Sequence, residues 1–191
     1  MATGHQPEPC PWWLGYVLVN PFRKLFQNPS DLVAPFVDEG MLVLEPGCGM
    51  GFFTLELARS VGPSGRVVAV DVQPKMLAGL RRRAGRAGLL DRLDIRQVAD
   101  DRLGIADLDG QVGFVLAFYV VHELANPGGF FDEVRTALSP SGRLLIVEPR
   151  AHGGGDPGFQ DSLDVAGQSG LVVLDRPVYQ RNQVALVGRT A

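Results

Sequence analysis

The sequence predicts an α/β protein with a doubly wound, mostly parallel sheet of seven strands that ends in an antiparallel hairpin. Two observations predict this fold. Short apolar runs alternate with segments of helical spacing from residue 41 onward, as in βαβ units whose sheet is covered on both faces. The last two apolar runs follow each other so closely that only an antiparallel hairpin can join them.

Five short apolar runs are the predicted parallel strands. They lie at 41–45, 65–71, 92–98, 111–121 and 142–148. Each is short and bounded by turn-forming or polar residues, which favours a buried strand. Three segments between them, at 52–61, 74–90 and 127–138, carry apolar residues at helical spacing. Right-handed crossovers through such helices give the doubly wound arrangement.

The two ends of the chain differ from this pattern. After a glycine-rich loop at 153–158 and a short helix, LVVLDRPVYQ and NQVALVGR are the predicted hairpin. Residues 1–30 are predicted to be a polar tail and an aromatic cap segment, and residues 31–191 the main domain. The aromatic segment contains Trp12 and Trp13. It could cover a binding site, pack on the sheet edge as an ordinary helix, or contact a membrane surface.

Composition excludes several classes of function. The chain has 191 residues, 46% hydrophobic and 20% charged, with a formal net charge of −3, so no positive field favours nucleic acid. No segment approaches a membrane span or a signal peptide, and we expect a cytoplasmic protein without membrane insertion. Cys10 and Cys48 form neither a CxxC pair nor a zinc-type spacing, so no metal site is expected.

The stretch LEPGCGMGFFT places glycines at alternate positions, Gly47, Gly49 and Gly51, directly after the first predicted strand. A dinucleotide fingerprint would need a glycine where Phe52 stands. Glu45, two residues before the first glycine, would repel a pyrophosphate and suits a cationic group such as an ammonium. The loop therefore predicts a ligand site at the strand end, and a dehydrogenase is disfavoured.

Several motifs together resemble the class I S-adenosylmethionine-dependent methyltransferases, in particular their type 11, UbiE-like small-molecule group. VLEPGCGMGFFTLELA resembles the first motif, and VVAVDVQPKML resembles the next one. LSPSGRLLIVEP resembles the turn before the fifth strand, with Ser141 where a glycine is usual, and the closing hairpin resembles the last two strands. The resemblance covers roughly residues 30 to 188. It implies a Rossmann-like fold, S-adenosylmethionine as cofactor and S-adenosylhomocysteine as product.

The resemblance also implies which residues contact the cofactor. Glu45 would lie near its ammonium group, Gly47 and Gly49 along its methionine part, and Asp71 on the ribose hydroxyls. Asp71 follows Gly51 by 20 residues, a spacing that suits this role. Val72 and Met76 would touch the adenine, and Asp100, or alternatively Asp101, would bind the adenine amino group. Cys48 and Phe118 are further residues assigned to the cofactor site.

Two histidines are candidate catalytic residues, because a base can be needed when the acceptor must lose a proton. His122 follows the fourth predicted strand, and His152 follows the fifth. Either could instead cap a helix or bond a loop carbonyl. Glu123 and Glu148 are comparable polar candidates at the same edge.

Motifs that the sequence lacks exclude several classes of methyl acceptor. The (N/D)-P-P-(Y/F) motif of methyltransferases that act on exocyclic amines of nucleobases or on glutamine is replaced by FYVVHEL. Cytosine C5 methylation needs a nucleophilic cysteine in the acceptor region, and none lies there. Two cysteines are too few for arsenic methylation. A small-molecule methyl acceptor is therefore expected. The alternatives are a non-catalytic module that binds the cofactor or its product, and a protein or RNA methyltransferase. Whether the chain is a monomer or a homodimer stays open.

Overall fold

The computed structural model describes residues 28–98, 102–150 and 157–190. Several predictions fall outside these ranges. They concern the aromatic segment with Trp12 and Trp13, and the residues Cys10, Asp100, Asp101 and His152. These predictions remain expectations.

Seven strands of the described residues form one sheet. They are β1 (Leu42–Pro46), β2 (Arg66–Asp71), β3 (Leu93–Gln97), β4 (Val112–Phe118), β5 (Leu138–Pro149), β6 (Leu171–Asp175) and β7 (Asn182–Arg189). Their order is β3-β2-β1-β4-β5-β7-β6. The first five are parallel, and β7 runs antiparallel to both β5 and β6. This arrangement confirms the predicted fold, and the strand order reverses between β1 and β4.

In the described residues one helix precedes β1, and the other helices follow individual strands along the chain. They are α1 (Pro29–Val33), α2 (Thr54–Ser60), α3 (Pro74–Ala87), α4 (Pro127–Ala137) and α5 (Pro157–Gln168), with short 3₁₀ helices at Leu90–Arg92, Ala106–Leu108 and Val121–Glu123. Proline at the first position starts α3 and α4, where its missing N–H costs nothing. Helix α3 ends three residues before the predicted boundary of 90, because Gly88 takes the left-handed conformation with φ 66°.

Three strand boundaries differ from the prediction by three residues or more. Strand β6 ends at Asp175, not at residue 180, because Pro177 has no N–H for the ladder, so six residues connect it to β7. Strand β4 ends at Phe118, not at residue 121, because Tyr119 takes a left-handed φ of 58°. Strand β5 begins at Leu138, not at residue 142, because Leu138 pairs with Val112 before a register shift interrupts the ladder. The β4 and β5 boundaries have no clear signal in residue type.

The core lies on both faces of the sheet. Successive residues of each buried strand alternate between two apolar clusters, as the two-residue period of a strand requires. Val43, Phe114 and Leu145 pack on one face with α1, α2 and α3. Leu44, Val115 and Leu144 pack on the other face with α4 and α5. This double coverage explains the continuous apolar runs in the sequence.

Candidate active site

The carboxyl ends of the parallel strands bring the polar candidates to one edge of the sheet. Glu45 lies in β1, Asp71 ends β2, Phe118 ends β4 and Glu148 lies near the end of β5. In parallel doubly wound sheets this edge binds ligands, at the point where strand order reverses. We call the part built by Glu45, the loop 47–51 and Asp71 the β1–β2 side. The part built by Tyr119, His122, Glu148 and Asn182 is the β4–β5 side.

The glycine loop combines tight packing with one open position. A Cβ at Gly47 would lie 2.5 Å from Val120 Cγ2, and one at Gly51 would run into the Leu80 side chain. Gly49 differs, because nothing lies within 4 Å of a Cβ built there, although its φ is +53°. Two of the glycines are thus required by neighbouring side chains, whereas Gly49 borders open space in which a ligand can reach the backbone.

Asp71 fastens this loop. Its Oδ2 accepts a hydrogen bond from the Gly49 N–H and its Oδ1 one from the Gln73 N–H, both at 2.8 Å. Burial raises the pKa of Asp71, and the backbone N–H groups of Gln73, Gly49 and Val72 oppose this rise. Each carboxylate oxygen retains acceptor capacity for a further donor.

Glu45 and the neighbouring Thr54 are buried groups of this side whose hydrogen bonding is incomplete among the described residues. The Glu45 side chain is only 4% exposed, and its Oε2 has no hydrogen-bond partner among the described residues. Burial raises the pKa of Glu45 to about 8, the Thr54 hydroxyl opposes this, and the Asp71 carboxylate adds to it. A buried acceptor in this state is expensive, so the site suits a ligand that brings a cation or donor.

The other predicted contacts lie around these two carboxylates. Cys48 is buried beside them, and burial first, then Glu45 and Asp71, raises the pKa of its thiol. The thiol is therefore protonated and not a nucleophile. Met76 is buried at the start of α3, and Val72 is half-buried after β2. Phe118 lies across the strand-order reversal, with its ring 4.4 Å from the ring of Phe53.

On the β4–β5 side, His122 and Glu148 form a pair. The Glu148 Oε2 is hydrogen-bonded to the His122 Nδ1, and its Oε1 accepts the Val121 N–H at 2.8 Å. The sequence predicts His122 as a candidate catalytic residue and Glu148 as a separate polar candidate, and the structure pairs the two. The visible sequence signal for the pair is a carboxylate at the end of one apolar run and a histidine just after another.

Tyr119 and Asn182 are site residues that sequence reasoning missed. The Tyr119 hydroxyl donates to Asn182 Oδ1 at 2.6 Å, across 63 residues of sequence. The Tyr119 ring also stacks on that of Phe118, with centroids 4.3 Å apart. A non-glycine residue held at positive φ is a feature that accumulates at functional sites. No local pattern could have identified this contact, because it depends on the pairing of β5 with β7.

A comparison with known proteins assigns the family. Residues 44–146 match the model of a methyltransferase domain, Methyltransf_11. This chain belongs to the S-adenosylmethionine-dependent methyltransferases. The match begins at Leu44 and ends at Ile146, so it includes the glycine loop, Asp71 and His122. S-adenosylmethionine is the cofactor of this family, as the motifs implied.

Similar proteins agree with this assignment. A catechol O-methyltransferase of Mycobacterium tuberculosis is 32% identical over 149 residues, which are 77% of this chain and 66% of that protein. An arsenite methyltransferase of Halobacterium salinarum is 31% identical over 121 residues, 63% of this chain and 30% of that protein. The chain spans 30% to 66% of the length of the first curated relatives that it matches.

A solved structure shows the same fold over nearly the whole chain. The crystal structure of an S-adenosylmethionine-dependent methyltransferase from Aquifex aeolicus superimposes with a TM-score of 0.82 at 22% identity. The alignment covers 94% of this chain and 98% of that one. Within the described ranges, no helix is both long and apolar enough to cross a membrane.

Proposed function

We propose that this chain transfers the methyl group of S-adenosylmethionine to a small-molecule acceptor. In this proposal residues 31–191 form the catalytic domain. The β1–β2 side binds the cofactor, and the β4–β5 side faces the acceptor. The observation that carries the proposal is the pair of buried carboxylates, Glu45 and Asp71, set against a glycine loop that borders open space at Gly49.

The residues present fit the cofactor. The Glu45 Oε2, without a partner among the described residues, would accept from the ammonium group of the methionine part. The Asp71 oxygens would accept from the two ribose hydroxyls beyond the backbone donors that they already hold. Gly47, Cys48 and Gly49 would line the methionine part, and Val72, Met76 and Phe118 would contact the adenosine.

The cofactor supplies the chemistry, because its sulfonium group carries an activated methyl that an acceptor can take by in-line displacement. The protein then has to orient the acceptor and exclude water. The aromatic rings of Phe53, Phe118 and Tyr119 form a continuous wall at this edge, with neighbouring centroids 4.4 and 4.3 Å apart. Relatives named for catechol, ubiquinone and menaquinone methylation support a small organic acceptor.

Calorimetric titration with S-adenosylmethionine and S-adenosylhomocysteine, with NADH as a negative control, tests the cofactor half of this proposal. We expect dissociation constants in the range of about 1–100 μM for the first two and no heat from NADH. Asp71→Ala should weaken binding by at least about 100-fold, because the ribose would lose both acceptors. The matched control is Asp109→Ala, which removes an exposed carboxylate near the start of β4.

Turnover separates the remaining possibilities. Formation of S-adenosylhomocysteine with a panel of small organic acceptors supports the proposal. Tight cofactor binding without turnover on any acceptor would favour the non-catalytic binding module. No binding to a folded sample would contradict the proposal altogether.

A further inference from the structure

The glycine loop forms a tight turn at the position that borders open space. The Gly51 N–H donates to the Cys48 carbonyl at 2.9 Å, so Gly49 and Met50 are the central residues of a β-turn. Gly49 has a φ of +53°, and Met50 does not have a positive φ, which is the pattern of a type II′ turn. The shape of this turn therefore decides how the open Gly49 backbone is presented.

Two side chains of opposite charge hold the two central residues. The Gly49 N–H donates to the Asp71 Oδ2 at 2.8 Å, and the Met50 carbonyl accepts from the Arg83 Nη1. Asp71 ends β2, and Arg83 lies in the helix that follows, α3. Neither contact takes part in the bond that closes the turn, so each adds a separate restraint on its shape. Hydrogen bonds with a charged partner are also stronger than neutral ones.

Helix α3 holds the Met50 side chain as well. This side chain is buried, with 3% exposed. A Cβ built on Gly79 would lie 2.9 Å from the Met50 Cγ and 3.1 Å from its Sδ, so the side chain packs directly on the helix backbone. Gly79 precedes Arg83 by four residues, which places both on the same face of the helix. One face of α3 thus binds both the side chain and the carbonyl of Met50.

Arg83 holds this carbonyl although its surroundings disfavour a cation. The residue is half-buried. Burial lowers the pKa of Arg83, and the Arg59 guanidinium lowers it further. No ion pair among the described residues includes Arg83. A guanidinium in such a place needs hydrogen-bond acceptors, and the Met50 carbonyl is one. The position of Arg83 is therefore explained by its bond to the loop, not by the neutralisation of a charge.

We infer that Arg83 is a positioning residue of the cofactor site, which holds the Gly49–Met50 turn in the shape that receives S-adenosylmethionine. The inference rests on the proposed function. Arg83 acts through the Met50 carbonyl and does not itself contact the cofactor. A turn that is already held in its bound shape loses less conformational freedom when the ligand binds. Removal of the guanidinium should therefore weaken binding although no contact to the ligand is removed.

The chain offers a matched pair of variants. Arg83→Met keeps an apolar stem and removes the donor. The control is Arg81→Met, because Arg81 also donates to a backbone carbonyl, that of Ile95 in β3, at 3.1 Å. Two residues correspond to about 200° around a helix, so Arg81 lies on a different side of α3. Each variant removes one positive charge and one bond from guanidinium to carbonyl, and only Arg83→Met releases the loop.

The first test needs no cofactor. We expect hydrogen exchange of the full chain, measured by NMR, to show the Gly49 N–H exchanging about tenfold faster in Arg83→Met than in the wild type. Arg81→Met should leave this rate within about twofold. Val68, fully buried in the middle of the sheet, is the internal reference for unfolding of the whole domain. Unchanged exchange at Gly49, or an equal acceleration at Gly49 and Val68, would overturn the inference.

The second test is calorimetric titration with S-adenosylhomocysteine. We expect Arg83→Met to raise the dissociation constant about tenfold and Arg81→Met to leave it within about twofold. Arg83→Lys keeps a charged donor on a flexible stem and should lose less affinity than Arg83→Met. An equal loss in Arg83→Met and Arg81→Met would assign the effect to charge or stability and overturn the inference.

The outcomes distinguish this inference from the proposal beneath it. If the wild type and Arg83→Met bind S-adenosylhomocysteine equally tightly, the inference fails and the cofactor assignment stands. If the wild type binds neither S-adenosylmethionine nor S-adenosylhomocysteine, the proposed function fails and the cofactor role of Arg83 fails with it. Hydrogen exchange at Gly49 then still shows whether Arg83 holds the turn.

Discussion

The two sides of the active-site edge differ in the groups that their polar side chains bind. On the β1–β2 side, a carboxylate binds backbone, since Asp71 accepts the N–H groups of Gly49 and Gln73. On the β4–β5 side, side chains also bind each other, as in His122 with Glu148 and Tyr119 with Asn182, while Glu148 in addition accepts the Val121 N–H. Backbone recognition needs only glycines and one acid at fixed spacing. Side-chain recognition can change with every loop, which suits the part of an enzyme that selects its acceptor.

The largest expected effect appears when one variant from each side is compared in the same measurement of S-adenosylhomocysteine binding. Asp71→Ala should weaken S-adenosylhomocysteine binding by at least about 100-fold, or about 2.7 kcal/mol. His122→Asn should leave the same dissociation constant within about twofold, since it lies on the other side. Calorimetry of both variants checks this. A similar loss in both would mean that the two sides are one site.

The next largest effect concerns the free energy of unfolding that is lost by burying Glu45. Its pKa in the folded protein is about 8, because burial disfavours the charged form, against a usual value of 4.5. At a pH between these two pKa values, Glu45 keeps its proton in the folded protein and loses it in the unfolded chain. The free energy of unfolding therefore falls as pH rises from about 4.5 to 8. Glu45→Gln removes this loss and should be more stable than the wild type by about 2 kcal/mol at pH 8.

Urea unfolding at pH 5 and pH 8 measures the effect of Glu45→Gln. Its advantage should shrink at pH 5, because this pH lies close to the usual pKa of 4.5 and only a small part of the stability lost between pH 4.5 and 8 has been lost there. Glu56→Gln, which alters an exposed ion pair with Arg59, is the control and should show little pH dependence. A pH-independent difference for Glu45→Gln would contradict the buried, neutral carboxyl.

Two glycines of the loop allow a packing role and a ligand-binding role to be compared within the β1–β2 side. Gly51→Ala meets the Leu80 side chain and a φ of +81°, so it should lower stability by about 2 kcal/mol. Gly49→Ala meets no atom within 4 Å and should cost about 1 kcal/mol, but it should weaken cofactor binding at least about tenfold. Thermal unfolding and calorimetry together check this. If Gly49→Ala and Gly51→Ala lost cofactor affinity in the same proportion to their losses of stability, a ligand beside Gly49 would be contradicted.

The smallest expected effect lies on the β4–β5 side. Tyr119→Phe removes the hydrogen bond to Asn182 Oδ1, at 2.6 Å. It should lower the free energy of unfolding by about 1 kcal/mol and leave cofactor affinity unchanged. A double-mutant cycle with Asn182→Ala isolates this bond, because each single variant removes the same contact. A coupling energy near zero would show that the pair does not hold the two strands together.

The fold and the β1–β2 side were predictable because their signals are local. The strand that ends at Asp71 and the loop from Gly47 to Gly51 are contiguous stretches whose residue types follow from backbone geometry and burial. The β4–β5 side was predicted only in part, through His122 and, as a separate polar candidate, Glu148. Glu148, the partner of His122, and Asn182, the partner of Tyr119, come from strands whose register is set by pairing across the sheet. Tyr119 itself adopts a backbone conformation that its residue type does not indicate.

The most direct measurement is the number of protons released when S-adenosylhomocysteine binds. Calorimetry at pH 7 in buffers of different ionisation enthalpy gives this number. Glu45 is protonated before binding, since burial raises its pKa to about 8, and an ammonium group beside it would lower that pKa well below the pH of the measurement. The account predicts release of about one proton by the wild type and none by Glu45→Gln. Binding without proton release in the wild type would contradict the assignment of Glu45 to the cofactor's ammonium group.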